Sequence, residues 1–341
     1  MIAKLRFSQQ VTCMRFAGIV FVTVFAIAPL AAQNVDTPDS KAEDLALSDL
    51  VQSLQKTATK TLGGRQFWSD IRFFRGWRIQ QNVFTDHCRL LDTDDHRHST
   101  GSLEECEAAL KTVREEQQLP PMNGRAVILV HGLIRSSRSF HAMAVRLEAE
   151  DCTVVRFDYP STRSSIPESA ECLAQVIQSL EGIDRIDLVV HSMGGLVLRC
   201  YLKDHSDDRI HRAVLLGVPN HGARIADRLH TNMLFRAISG PAGQQLTSGA
   251  ESLIAELPVP DFEFGVVAGG RGSIKGFNPL LNGDNDSTVT VRSARLKGAT
   301  DFTLQPVIHS FLMSDRRCVN AVETFLEHGR FDLEREPQPI R

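Results

Sequence analysis

A chain of 341 residues accommodates one large α/β domain with appendages or two modest domains, and 42% hydrophobic with 23% charged residues excludes wholesale disorder and a multi-span membrane protein. The net charge is −3; residues 1–32 hold three basic residues and no acidic one, so their removal takes it to −6. A chain without clustered positive charge has no electrostatic footprint for nucleic acid, and no such partner is expected.

The N-terminus has the layout of an export signal. Basic residues precede an apolar run from Phe16 to Leu30, and Ala31-Ala32 lead into polar Gln33-Asn34. Residues 1–32 are therefore read as a signal peptide, which places the mature chain in the periplasm or outside the cell. The alternative is an uncleaved anchor, since the run is only slightly short of the ~17–25 residues that span a bilayer. Cys13 precedes the apolar run, so it does not mark a lipoprotein site. Six cysteines then remain in an oxidising compartment. Cys88 and Cys106 lie in one polar segment, and a bridge between them would contribute about 3 kcal/mol through loop closure.

Residues 33–123 are expected to form a mainly helical N-terminal extension. Asn34 to Lys41 is turn-rich and suits a linker; Ala42 to Leu62 carries Leu45, Leu47, Leu50, Val51 and Leu54 at helical spacing. The run from Arg65 to Arg78 collects both tryptophans among four arginines. One reading is a patch for peripheral membrane contact, the other a helix laying its aromatics on a core; the second is preferred because no long amphipathic helix is evident. Asp92 to His98 contains metal-capable side chains at a spacing that matches no metal motif, and is read as a solvated loop. Cys106 to Gln118 reads as a charged surface helix, ended by Pro120-Pro121 and Asn123-Gly124, where a domain boundary is placed.

From residue 124 the texture changes. Ala126 to Val130, Thr153 to Phe157, Ile186 to Val190, Ala213 to Leu216 and Phe264 to Ala268 are short, nearly continuous apolar runs. Helical patterns separate them over Ser139 to Glu150, Glu168 to Leu180 and Leu196 to Asp204. Strands apolar on both faces alternating with helices predict an α/β class fold, a doubly wound, mostly parallel sheet under helices on each face. That domain spans 124–329, with an insertion at about 222–258 and a C-terminal tail at 330–341.

Within it, Leu188-Val189-Val190-His191-Ser192-Met193-Gly194-Gly195 reads as strand, sharp turn and helix. The turn lifts Ser192 to a helix N-terminus, where developing negative charge is favoured. The stretch resembles the nucleophile elbow of the α/β-hydrolase superfamily, and its His-Ser-Met-Gly-Gly form is similar to bacterial lipases and esterases. Val190 stands where the elbow usually has Gly. Val130-His131-Gly132-Leu133 resembles the His-Gly oxyanion turn of lipases, which implies Leu133 and Met193 as backbone N–H donors. Asn282 to Val289 resembles the family's Asn-Asp-Gly-x-Val loop and implies Asp286 as the acid, with Ser287 where Gly is usual; Asp284 and Asp301 are competitors. His309, in a strand-to-helix loop downstream, takes the place of the family's histidine, and His191 is read as scaffold. Gly217 to Gly222 resembles the lipases' Thr-Pro-Asn-His-Gly run and is read as structural or pocket-forming.

The insertion holds Leu229, Met233, Leu234, Phe235 and Ile238, where lipases carry a cap. Gly269 to Gly276 lacks the Gly-Lys-Ser/Thr order of a phosphate loop. The resemblance thus implies a serine hydrolase that cleaves carboxylic esters, lipase or carboxylesterase, acting on an ester or lipid through Ser192, His309 and Asp286 with neither metal nor organic cofactor. An acyltransferase or amidase would use the same triad, and a non-catalytic envelope binding module could keep the same fold.

Overall fold

The computed structural model describes residues 59–60, 65–150, 152–222, 241–246 and 252–341. The signal-like segment, the expected helix over 42–62 except Thr59-Lys60, and Leu229 to Ile238 of the insertion lie outside them. Among the described residues no helix is long and apolar enough to cross a membrane.

Two sheets organise the described chain. The first contains β1 (Thr59–Lys60), β2 (Trp68–Phe74), β3 (Trp77–Asn82), β4 (Cys88–Leu91) and β5 (His96–Gly101), in the order β1-β5-β4-β3-β2 with antiparallel pairing throughout. The mainly helical extension is thereby corrected: of the described residues before 124, only α1 (Leu103–Glu116) is an α-helix. The reason is local. Arg75 (φ 48°) and Gly76 (φ 86°) both adopt left-handed backbone and join Phe74 to Trp77 in a two-residue turn that matches strand twist. Beyond it Trp77 and Ile79 face the core on alternate positions, a period of two. Ser102 and Glu105 close a capping box at the start of α1.

The second sheet contains β6 (Gly124–Val130), β7 (Thr153–Phe157), β8 (Ile183–His191), β9 (Ile210–Leu216), β10 (Glu263–Gly269) and β11 (Asp301–Gln305). All six strands are parallel, in the order β11-β10-β9-β8-β6-β7. Helices α3 (Ile166–Gln178) and α4 (Met193–Asp204) cover one face; α2 (His141–Glu148) and α5 (Arg316–His328) cover the other. Every buried strand is nearly continuous in Val, Ile and Leu because both its faces are dry. The fold is the doubly wound α/β sandwich that the run pattern predicts.

The change of texture at residue 124 separates two sheets but not two cores. Ile71, Phe73, Ile79 and Leu90 of the antiparallel sheet belong to one buried cluster with Ile128, Leu173 and Leu188. Cys88 and Cys106 are both buried in that cluster as free thiols, so the expected bridge is not formed. The thiols act as small apolar groups where α1 packs on β4, and burial raises both pKa values, that of Cys106 to about 11. The tail beyond 329 is tied down: the Asp301 carboxylate accepts from the N–H groups of Phe331 and Gln338.

A polar junction joins the sheets. Asp70 N–H donates to the Asp158 carbonyl (2.9 Å), and Asp158 N–H donates to Asp70 Oδ2 (2.7 Å). Gln80 donates to Asp70 Oδ1, Arg89 donates twice to Gln80, and Arg78 pairs with Asp95 and Asp158. Burial pushes the Asp70 carboxyl from 3.8 up to about 6, against the pull of the neighbouring Arg78 and with the push of Asp158. A folded-state value above the unfolded one means that folding takes up a proton, so Asp70 favours the fold most below pH 3.8, and that contribution is lost as pH rises to about 6. The melting temperature of the wild type minus that of Asp70→Asn is therefore expected to fall across this window. A constant difference from acid to neutral pH would contradict it.

Candidate active site

The predicted nucleophile, acid and base emerge from the carboxyl ends of β8, β10 and β11, the edge where open parallel sheets hold their ligands. Ser192 lies between β8 and α4 with φ 54° and ψ −125°, a conformation sparsely populated by residues with a Cβ. Its N–H donates to the Leu216 carbonyl of β9 (2.9 Å), and its own carbonyl accepts from Gly195 N–H (3.0 Å). The turn is tight enough to need Gly194: a Cβ there would lie 2.5 Å from the Val130 carbonyl oxygen and 2.6 Å from that of His131. Val190, where a glycine is usual, is an ordinary core residue paired with Val130 and Leu215. The strain of the turn sits on Ser192.

The three side chains form one hydrogen-bonded line. Ser192 Oγ lies 2.9 Å from His309 Nε2, and His309 Nδ1 lies 2.6 Å from Asp286 Oδ2. With the carboxylate accepting, Nδ1 carries the ring proton and Nε2 is left to accept from the serine hydroxyl. Asp286 is almost wholly buried, and its Oδ1 accepts from the N–H groups of Thr288 (2.9 Å) and Val289 (2.7 Å). Its backbone carbonyl also accepts from His309 N–H (2.7 Å), so acid and base are fixed to each other twice.

The departure at Ser287 has a visible cost. Its φ is 88°, in the left-handed region that glycine enters freely, which accounts for the usual glycine. Asn285 Oδ1 and Asn278 Nδ2 hold Ser287 by its N–H and carbonyl. The competing aspartates serve elsewhere: Asp284 accepts from the N–H groups of Arg271 and Gly272, closing the glycine-rich loop around itself, and Asp301 secures the tail.

His191, read from sequence as scaffold, donates from Nε2 to the His309 carbonyl (3.1 Å). Burial, and then the neighbouring His309, hold its pKa well below the ordinary value, so it stays neutral; its buried Nδ1 has no hydrogen-bond partner among the described residues. The predicted oxyanion turn lies against the elbow. A Cβ on Gly132 would come 2.9 Å from Ser192 Cβ. Met193 is the first residue of α4, where an N–H has no intrahelical acceptor, and no backbone group among the described residues accepts from Leu133.

Sequence reasoning missed the supports of this turn. Tyr159 donates to the His131 carbonyl (2.6 Å) and stacks on the His131 ring; Asp158 accepts from both the N–H and the hydroxyl of Ser137 (2.7 Å each). An acidic residue and a tyrosine directly after a buried strand were the available signal. Arg199, also missed, is buried in α4 and donates to the carbonyls of Leu257, Pro258 and Asn220, anchoring the chain as it leaves the insertion. Leu234 and Phe235 lie outside the described residues.

Known proteins offer partial likenesses. A family model described as a domain of unknown function, DUF7379, matches residues 94–257, which include Ser192 but neither Asp286 nor His309. No curated protein matches the chain. Among solved structures, Bacillus licheniformis lipase BlEst2 in its mature form superposes over 62% of this chain and 92% of its own at 21% identity, with a TM-score of 0.46. The metagenomic carboxyl esterase MGS0156 covers 55% and 65% at 19% identity and 0.43; esterase RhEst1 from Rhodococcus sp. ECU1013 covers 60% and 91% at 19% and 0.41. The strand order and elbow of the chain itself carry the α/β-hydrolase fold.

Two substitutions test the backbone account. Gly194→Ala is expected to destabilise by about 1–3 kcal/mol, the range for forcing a methyl into filled space. Ser287→Gly is expected to stabilise by up to about 1 kcal/mol by relieving a left-handed residue. Chemical denaturation of both variants reads the two signs, and a neutral Gly194→Ala would refute the close approach at the elbow.

Proposed function

We propose that the protein is a serine hydrolase that cleaves carboxylic esters, a lipase or carboxylesterase, with Ser192 as nucleophile, His309 as base and Asp286 as the orienting acid. The observation that carries this reading is the unbroken Ser192–His309–Asp286 hydrogen-bond line ending on a strained serine. In it, Ser192 Oγ attacks the ester carbonyl carbon while its proton passes to His309 Nε2. Buried Asp286 stabilises the imidazolium without taking its proton. Charge accumulates on the former carbonyl oxygen, where the Leu133 and Met193 N–H groups are the proposed donors. Collapse expels the alcohol, which takes the proton from His309. Water, deprotonated by the same nitrogen, then releases the acid and restores the serine.

An apolar substrate suits the surroundings. A groove of about 430 Å³ is lined by Phe277, Pro306, Val307, Ile308 and Phe311, residues that flank His309 in the chain apart from Phe277, with Ser314, Asp315 and Arg317 at its polar side. Phe311 is 56% exposed, as is Ile134 to 57% next to the oxyanion turn. We propose further that residues 1–32 export the chain, on the signal-like layout of the sequence.

Labelling by a fluorophosphonate probe and turnover of a chain-length series of nitrophenyl esters test the proposal. Wild type is expected to label and turn over. Ser192→Ala and His309→Ala are each expected to lose roughly 10⁴-fold or more in kcat and to lose labelling while keeping the native circular dichroism. A folded wild type that neither labels nor hydrolyses any ester of the series would overturn the reading and favour a binding module on the same fold.

A further inference from the structure

The oxyanion turn holds a strained residue. Ile134, directly after the proposed donor Leu133, has φ 58°, a left-handed conformation that is a genuine outlier for a β-branched side chain. Such strain persists only where the surroundings over-determine it. Local bonds are made by Arg135 N–H to the Gly132 carbonyl (3.3 Å) and by Ser139 to the Ser136 carbonyl, and the further restraints on residues 134–137 come from outside the segment in two groups.

The first group is the loop after β7. Ser161 Oγ accepts from Ile134 N–H (3.1 Å), and Asp158 accepts twice from Ser137. The second group is the antiparallel sheet and its lead-in turn, which hold both loops at once. Gln66 donates from Nε2 to the Arg135 carbonyl (3.3 Å), while its Oε1 accepts from Thr162 N–H (3.1 Å) and Thr162 Oγ1 (2.8 Å). One side chain thus bridges the turn and the loop that supports it. Asp70, exchanging two hydrogen bonds with the backbone of Asp158, fixes the very residue whose carboxylate grips Ser137. The Asp70 carboxylate is itself held by the buried side chain of Gln80.

From this arrangement, and resting on the serine-hydrolase reading, we infer that the N-terminal antiparallel sheet works in catalysis as a clamp, with Gln66 and Asp70 as positioning residues that keep the Leu133 N–H aimed at the oxyanion. They touch no reacting atom. Their effect falls on the transition state, because the donor matters only once charge has moved onto the oxygen, whereas substrate binding does not need it. A donor displaced by as little as an ångström forfeits much of its worth.

The experiment compares the full chain with Gln66→Leu, which keeps size and removes all three bonds, and with Asp70→Asn. kcat and KM are measured on a short activated ester, normalised to the fraction of Ser192 that titrates with fluorophosphonate, together with the labelling rate, since the phosphonyl oxygen occupies the oxyanion position. In Gln66→Leu kcat and labelling rate are expected to fall at least about tenfold, with KM held within about twofold, and in Asp70→Asn, whose amide oxygen still accepts from Asp158 N–H, they are expected to fall by less. Gln66 is only half-buried, so Gln66→Leu carries the test if Asp70→Asn does not fold. Folded Gln66→Leu with wild-type kcat per titrated serine overturns the clamp, whatever its melting temperature. So does an equal change in KM without one in kcat. A wild type that neither labels nor turns over removes the hydrolase reading and the clamp with it, whereas an active wild type beside a fully active variant removes the clamp alone.

Discussion

A single backbone turned into the left-handed region at Ser192 sets the terms for the rest of the structure, since that turn lifts a hydroxyl out of a buried parallel sheet and aims it at a histidine three strands away. The strain is carried by neighbours rather than by the turn. The flanking strands β6 and β9 crowd against it, through the Val130 and His131 carbonyls on one side and the Leu216 carbonyl on the other. Six parallel strands with dry faces make that frame rigid enough to hold it.

The same logic recurs at smaller scale around the site. Ser287 and Ile134 are also left-handed, and each sits beside a functional group, the acid in one case and the proposed oxyanion donor in the other. Each is gripped by side chains: Asn278 and Asn285 around Ser287, Ser161 at Ile134 and Gln66 at Arg135. Three strained residues in one site, all fixed by hydrogen bonds from elsewhere, are what preorganisation demands, because geometry settled before the substrate arrives costs nothing during reaction. The buried Asp70–Asp158 exchange belongs to the same economy. It places a poorly solvated carboxylate inside the junction, a cost met by Arg78, Gln80 and a backbone N–H.

Much of this was legible before the fold was known. Five strands of the parallel sheet each contain the apolar run that marked them, from Ala126–Val130 inside β6 to Phe264–Ala268 inside β10, since burial on two faces leaves a continuous apolar imprint. Ser192, Asp286 and His309 could be named because each sits in a short motif, and the structure brings the three together. The antiparallel sheet was misread for a physical reason. Its aromatics Phe73, Phe74 and Trp77 are buried on a small sheet that lies against α1 and α3, but the polar Asp70, Gln80 and Arg89 are buried there too, so its alternation is blurred. The Arg75-Gly76 turn was the one clear sign of a hairpin there.

By itself the sequence determined the parallel sheet and the strand, turn and helix around Ser192, because local periodicity and turn chemistry are written in neighbouring residues, while the resemblance to lipases named Asp286 and His309 beside it. Only the tertiary structure decided that residues 65–101 form strands, that Cys88 and Cys106 are packed as thiols, and that Gln66 and Asp70 reach the loops around Gly132 and Asp158. Those contacts join residues far apart in the chain through single hydrogen bonds, and a hydrogen bond between distant residues leaves no period, spacing or composition for a sequence to display.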